Sequence, residues 1–326
     1  MIKSKIKKKI IITGCAGFIG SNLLDELLKK KNKIIGIDNL STGQKKFLKK
    51  ALKNKNFKFI KMDLLNLPKL KKIFRNADFV YHLAANADVR FGLNHPQKDL
   101  EQNAICTFNV LEAMRFNSIK KIVFTSTAPI YGNNKIFPTP ENAPLSNQTS
   151  LYGASKLYCE GLIQSYCEGY NFKSWIYRFV SILGNRYTHG HVYDFYKQLV
   201  FKNNKKLLIL GDGNQKKSYL NVKDCISAIL ISVKKSKNKI NTFNLGCDDY
   251  VNVKRSAKII SKALNLNPKF LFSGGKTGWI GDQPFVYLST NKIKKIGWSS
   301  KISIENSIKD TVNWLNNNKW VFKKRR

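Results

Sequence analysis

Residues 9 to 20 constrain the fold more than any other stretch of this chain. Lys9-Ile10-Ile11-Ile12-Thr13 is a short β-branched run, followed at once by Gly14-Cys15-Ala16-Gly17-Phe18-Ile19-Gly20 and then by leucines at 23, 24, 27 and 28. The order reads strand, glycine turn, helix. Gly14 permits the sharp turn, Gly17 lets the backbone approach a pyrophosphate, and Gly20 allows close helix packing. The first turn, at Phe18 and Ile19, offers free N–H groups and the positive end of the helix dipole to phosphates. A second apolar strand, Lys33 to Ile37, ends in Asp38, 18 residues beyond Gly20. A carboxylate there accepts hydrogen bonds from a ribose 2′-hydroxyl and repels a 2′-phosphate, which favours NAD over NADP. Asn39 and Thr42 follow instead of an arginine, so nothing nearby welcomes that phosphate.

Strand-like runs recur at Phe57 to Ile60, Phe79 to His82, Lys121 to Thr125 and Ser174 to Phe179, with helical patterns over 97–116 and 151–168. This alternation predicts an α/β fold with a doubly wound parallel sheet of Rossmann type, running to about residue 183. Beyond it the patterns shorten and glycines multiply (184, 190, 211, 213, 274, 275), which predicts a smaller C-terminal substrate domain over 184–326. A chain of 326 residues with 43% hydrophobic content can fill a substantial core. No run of about 18 apolar residues exists, and the Lys-rich start leads straight into the first strand, so we expect a cytoplasmic protein with no membrane partner. Cysteines 15, 106, 159, 167, 225 and 247 show no CxxC or metal-type clustering and are expected to be reduced.

The net charge of +38 raises the question of nucleic acid. The excess is nearly all Lys, spread over every segment; there are only eight Arg, and no nucleic-acid-binding motif is present. No specific nucleic-acid partner is expected. The excess charge instead favours anionic small substrates. The tail Lys323-Lys-Arg-Arg326 reads as a solvated end.

Tyr152-Gly153-Ala154-Ser155-Lys156 places a phenol and an ammonium four residues apart, on one face of a predicted helix. Free tyrosine titrates near pH ~10, so a proton shuttle at neutral pH needs about 4 kcal/mol of preferential phenolate stabilisation. Lys156 is expected to supply much of it. The strand Lys121 to Thr125 runs into Ser126 and Thr127, placing two hydroxyls at the carboxyl edge where open parallel sheets hold ligands. His189-Gly190-His191 could suggest a metal, but no carboxylate or Cys cluster accompanies it. No metal is expected; a substrate loop in which His189 or His191 contacts the sugar or diphosphate, and a plain solvent-exposed loop, are the two readings left.

Together the glycine triplet, Asp38-Asn-Leu-Ser-Thr-Gly43, Asp63-Leu64, His82-Leu83-Ala84-Ala85 and the Tyr152/Lys156 pair resemble the extended short-chain dehydrogenase/reductase family, in its NAD-dependent nucleotide-sugar epimerase/dehydratase branch. The resemblance covers nearly the whole chain. It implies that Asp63 and Leu64 hold the adenine end of NAD, that Leu83, Ala84 and Ala85 line the cofactor cleft, and that Lys156 also binds the nicotinamide ribose. Thr127 stands 25 residues before Tyr152, the family's spacing for its catalytic Ser/Thr. The family pattern also returns the chain to the first domain after Tyr219, matching a helix over 221–233 and a strand at Thr242 to Leu245.

Further carry-overs are Asn103 near the nicotinamide, and Arg178, Ser181 (where the common pattern has Asn) and Lys217 (where many members have Arg) near the substrate. Trp279 replaces another Arg ahead of Gly281-Asp282. Dehydratases of the family carry an Asp-Glu pair, and decarboxylases a Glu at the second place, where this chain has Ala128 and Pro129. Neither side chain moves a proton. The reading is therefore an epimerase, acting at C4 of a UDP-sugar through a transient keto sugar, and the run from Asp38 to Gly43 resembles the UDP-galactose 4-epimerase subgroup. Dehydratase, decarboxylase or reductase chemistry on another nucleotide sugar is the enzymatic alternative, and a catalytically silent NAD-binding sensor the other. Members of the family often dimerise through two helices; 97–116 and 151–168 are the candidates, predicting a homodimer.

Overall fold

The computed structural model describes residues 8–279 and 281–323; most of the Lys-rich start and all but the first residue of the basic tail lie outside them. Seven parallel strands form the central sheet: β1 (Lys9–Thr13), β2 (Lys33–Asp38), β3 (Phe57–Lys61), β4 (Phe79–His82), β5 (Lys121–Thr127), β6 (Lys173–Phe179) and β7 (Ile240–Leu245). Their order is β7-β6-β5-β4-β1-β2-β3. The chain thus builds outward from β1 to β3, then crosses back to β4 on the other side of β1. At that reversal Thr13 pairs with Ile37 on one side and His82 on the other, so the carboxyl ends of β1, β2 and β4 finish level. An open sheet binds ligands at such a point.

Successive strand residues point to opposite faces, and two cores result. Ile10, Ile12, Tyr81, Val123 and Tyr177 pack with α1 (Phe18–Leu28) through Leu23, Leu24 and Leu27. Ile11, Val80, Ile122, Phe124 and Ile176 pack with α3 (Cys106–Phe116) and α4 (Leu151–Tyr170) through Val110, Met114, Cys159 and Ile163. Between them in sequence, α2 (Leu67–Ile73) sits beside α3. The Ser150 hydroxyl caps α4 at the Gly153 amide (3.0 Å), and Asn171 closes it in the left-handed region at φ 56°. All six cysteines are free and buried.

One predicted helix differs in detail. Over 97–116 the chain forms a short helix Pro96–Asp99, a wide π-type stretch Leu100–Ile105, and only then α3. The wide turn coincides with Asn103, whose buried carboxamide bonds outward to Asn86 and Ser155.

After β6, Ser181–Leu183 pairs with Tyr219–Asn221, Lys206–Ile209 with Lys269–Phe272, and Lys216–Lys217 with both Val251–Asn252 and Phe285–Val286. Helices α5 (His191–Phe201), α7 (Val253–Ala263) and α8 (Ile304–Asn317) pack around these small sheets. Between them α6 (Val222–Lys235), capped by Asn221, leads back into β7 beside β6. Among the described residues no helix is long and apolar enough to cross a membrane.

Candidate active site

A cleft of about 810 Å³ runs from the glycine turn, past the ends of β4 and β5, to the small sheets. At its first end Gly14 adopts φ +72° and its amide bonds to the Ile37 carbonyl at 2.8 Å. A Cβ on Gly14 would stand 2.6 Å from the Ala84 amide nitrogen, and one on Gly20 would stand 2.0 Å from the Gly14 carbonyl oxygen. The turn is therefore closed to any side chain, and the first-turn amides around Phe18, Ile19 and Gly20 meet the cleft directly. Gly17 is the N-cap.

Asp38 lines the same end. One of its oxygens accepts from the Ala16 amide (2.9 Å) and the other from the Leu40 amide (2.8 Å), while burial pushes its pKa up. A carboxylate has about four acceptor positions, so sites remain for ribose hydroxyls. Asn39 lines the cleft as well, but its carboxamide donates to Asp63 at 2.9 Å.

Asp63 itself departs from expectation. Its carboxylate lies off the cleft wall, which Met62 and Leu64 form instead. Partial burial opposes its charge, yet the Leu65 amide, Asn39 and Gln102 hold it below the usual carboxylate range. Its role here is to tie the β2 and β3 ends to the turn before α3.

At the reacting end, Ser126, Thr127 and Tyr152 line the cleft together with Leu83, Ala84 and Ala85. The Thr127 side chain lies close enough to Tyr152 to favour its charged form. Desolvation nevertheless carries the phenol up to about 12, with Thr127 pulling the other way. Lys156 lies one turn below, 2% exposed, with Nζ donating to the Thr125 carbonyl at 2.9 Å and standing 4.6 Å from the centre of the Phe124 ring. Burial brings its ammonium down to about 8, opposed by Cys159, Asp99 and Glu160. The expected lysine-driven lowering of the phenol is not what this arrangement gives: the ammonium is committed to a backbone carbonyl, and desolvation dominates both groups. The Ser126 hydroxyl is buried with no partner among the described residues, as a group reserved for a ligand would be.

Two further expectations are corrected. Asn103 stands behind the wall, its Nδ2 donating to Ser155 Oγ (2.9 Å) and Asp99 Oδ1 (3.2 Å) and its Oδ1 accepting from the Asn86 amide (2.9 Å). It fixes the loop after β4 against α4 and does not reach the cleft. Arg178 is buried in an ion pair with Glu160 (2.8 Å), and its other guanidinium nitrogen donates to Tyr131 Oη and the Glu141 carbonyl, each at 2.8 Å. That guanidinium braces α4 against β6, so it is not a substrate group.

Ser181, His191 and Lys217 do line the far end of the cleft. His191 shares a 2.6 Å hydrogen bond with Ser256, and burial, with Lys217 second, lowers its pKa to about 3. Its ring is therefore neutral. Lys217 pairs with Asp282 at 2.7 Å and also donates to the Gln283 carbonyl; burial lowers its pKa despite Asp282. Ala128 and Pro129 also border the cleft. Asn86, Arg90, Asp194 and Trp279 line it too, although no sequence signal singled out the first three. Among the described residues no group of three or more His, Cys, Asp or Glu side chains converges as metal ligands would.

Known proteins give this geometry a setting. A Methanocaldococcus jannaschii protein provisionally named a UDP-glucose 4-epimerase is 32% identical over 95% of this chain and 99% of its own. The dTDP-D-glucose 4,6-dehydratase of Dictyostelium discoideum is 31% identical over 96% of this chain and 82% of its own. The Thermotoga maritima UDP-glucose 4-epimerase, solved with UDP-glucose, superposes with a TM-score of 0.86 at 29% identity, over 95% of this chain and 99% of that one. NAD fits the cleft: the side-chain-free turn and first-turn amides would hold the pyrophosphate and Asp38 the adenosine ribose, and the bound cofactor would supply a reversible hydride acceptor. The pattern of the NAD dependent epimerase/dehydratase family spans residues 10–246, covering the glycine turn, Asp38 and the Thr127/Tyr152/Lys156 set, and this chain belongs to that family.

Proposed function

We propose that the chain epimerises a nucleotide sugar, inverting C4 of a UDP-sugar through a transient 4-keto intermediate. The carrying observation is that the Thr127 and Tyr152 side chains line the cleft together beside Ala128 and Pro129. Tyr152 takes the proton of the sugar hydroxyl, Thr127 holds that oxygen, and Lys156 supports the site from below through Thr125. A bound nicotinamide would supply the acceptor for the hydrogen on the same carbon. With the other face of the ketone presented, Tyr152 returns the proton to the oxygen that Thr127 holds, and the inverted alcohol forms. Elimination of water needs a further acid and base, and the residues that would stand there are an alanine and a proline. On this reading Gly14, Gly17, Phe18, Ile19, Gly20, Asp38, Asn39, Leu64, Leu83, Ala84 and Ala85 surround the cofactor, while Ser126, Ser181, His191 and Lys217 face the sugar nucleotide. Residues 184–326 serve mainly the substrate, apart from the return through 222–245, and six free thiols suit a cytosolic setting.

A panel of UDP-, GDP-, CDP- and dTDP-sugars in D2O tests this. We expect conversion of one UDP-sugar to its C4 epimer with no deuterium on carbon, because the same hydride returns. Loss of water or CO2, or deuterium at C5 or C6, assigns the rival reactions, and absence of any turnover or of cofactor reduction assigns the silent sensor.

The same reading includes a homodimer. Ile105, Phe108 and Phe116 are exposed on one side of the π turn and α3, and Leu151 and Tyr158 on the neighbouring α4. Two such adjacent apolar stripes are self-complementary about a twofold axis. Sedimentation velocity at micromolar protein should give twice the chain mass, and a monomer at those concentrations would remove the dimer from the proposal.

A further inference from the structure

Arg90 reaches across the mouth of the cleft. It belongs to the short helix Val89–Asn94 that follows β4, whereas its partners belong to the small-sheet side. Its Nη2 lies 2.9 Å from Asp194 Oδ2 on α5, and its guanidinium carbon lies 5.8 Å from the centre of the Trp279 ring. Lys217 Nζ stands 6.0 Å from the same ring. One indole thus gathers two cations at one place on the cleft wall, within the reach of cation–π attraction.

These cations are not equivalent. Lys217 is already bound to Asp282 and to the Gln283 carbonyl, and its burial disfavours the charged form. Arg90 is the sole arginine among the described residues lining the cleft. Its bond to Asp194 is exposed, with side chains 46% and 36% accessible, and exposed ion pairs contribute little and exchange readily. A guanidinium also binds two phosphate oxygens at once, which an ammonium cannot.

We propose that Arg90 binds the diphosphate of the nucleotide sugar, leaving Asp194 for it, while the face of Trp279 keeps the guanidinium at the cleft mouth. The inference rests on the nucleotide-sugar reading above. Asp194 then acts as a resident anion that competes with the substrate, and the two ends of one ion pair have opposite effects on binding.

Calorimetry on the NAD-loaded enzyme, with UDP and uridine as probes, tests this. Arg90→Ala should weaken UDP by about 10-fold or more, one or two charge-assisted bonds, and leave uridine unchanged. Arg90→Lys should fall between. Asp194→Asn should leave UDP as tight as in the wild type or tighten it several-fold, and the double variant should match Arg90→Ala. With the epimerised sugar, Arg90→Ala should raise KM while kcat changes little. A merely structural clasp predicts that both single variants weaken UDP alike; that result, or unchanged UDP affinity in Arg90→Ala, overturns the proposal. If the wild type binds uridine and UDP equally, or neither, the nucleotide-sugar reading itself falls.

Discussion

Tyr152→Phe lowers kcat by about 10²- to 10⁴-fold, the range for loss of a general acid–base group, while NAD binding persists. The ring remains to pack on the cleft wall, and the glycine turn and Asp38 are untouched. Only the proton carrier beside Thr127 is lost. The pH profile carries further information. Because desolvation places the phenol at about 12 and the Lys156 ammonium at about 8, the basic form of Tyr152 is scarce at neutral pH. As a general base it becomes more available as pH rises, so log kcat/KM of the wild type climbs over pH 6 to 9 and that of the variant stays flat. Single-turnover measurement of cofactor absorbance across this range checks both statements. Activity within ten-fold of the wild type would show that another group shuttles the proton.

Gly20→Ala is expected to abolish retention of NAD and to cost about 3 kcal/mol or more of stability, at the upper end of overpacking effects. Its Cβ meets the Gly14 carbonyl oxygen at 2.0 Å and the carbon of that group at 2.9 Å, both backbone atoms. The turn cannot retreat, because a Cβ-sized object at Gly14 would already strike the amide of Ala84. Gly169 in α4 is the control: a Cβ there meets nothing within 4 Å. Gly169→Ala should stabilise by about 0.5–1 kcal/mol. Thermal unfolding with and without NAD reads the contrast, and equal Tm values for the two variants would contradict it.

Much of the frame was legible because apolar β-branched runs were separated by helical periods. All seven central strands were anticipated, including the last, where the family pattern pointed to Thr242 to Leu245. What spacing could not disclose was the partner behind each polar residue. Arg178 lies between Tyr177 and Phe179, so period two alone sends it to the opposite face of β6, toward α4. Glu160 waits there, four residues beyond Lys156 on the same helix. Asn103 and Asp63 were likewise placed near the site, but their bonds run to Ser155 and Asn39 within the wall. Sequence gave the Tyr152/Lys156 spacing but not their desolvation, which decides both protonation equilibria. Ser181, His191 and Lys217 reach the cleft from a short strand, the start of α5 and a second short strand of the small sheets.

The placement of β7 has a consequence for how this molecule can be divided. Residues 240–245 return to cover the outer edge of β6, after the chain has left the sheet and built the far wall of the cleft. A fragment cut at residue 183 would leave the β6 backbone donors and acceptors bare, an invitation to aggregate. The two walls are therefore sewn together by thread that passes twice, and a chimera exchanging one wall for that of a relative must bring residues 222–245 along with the sheet they complete.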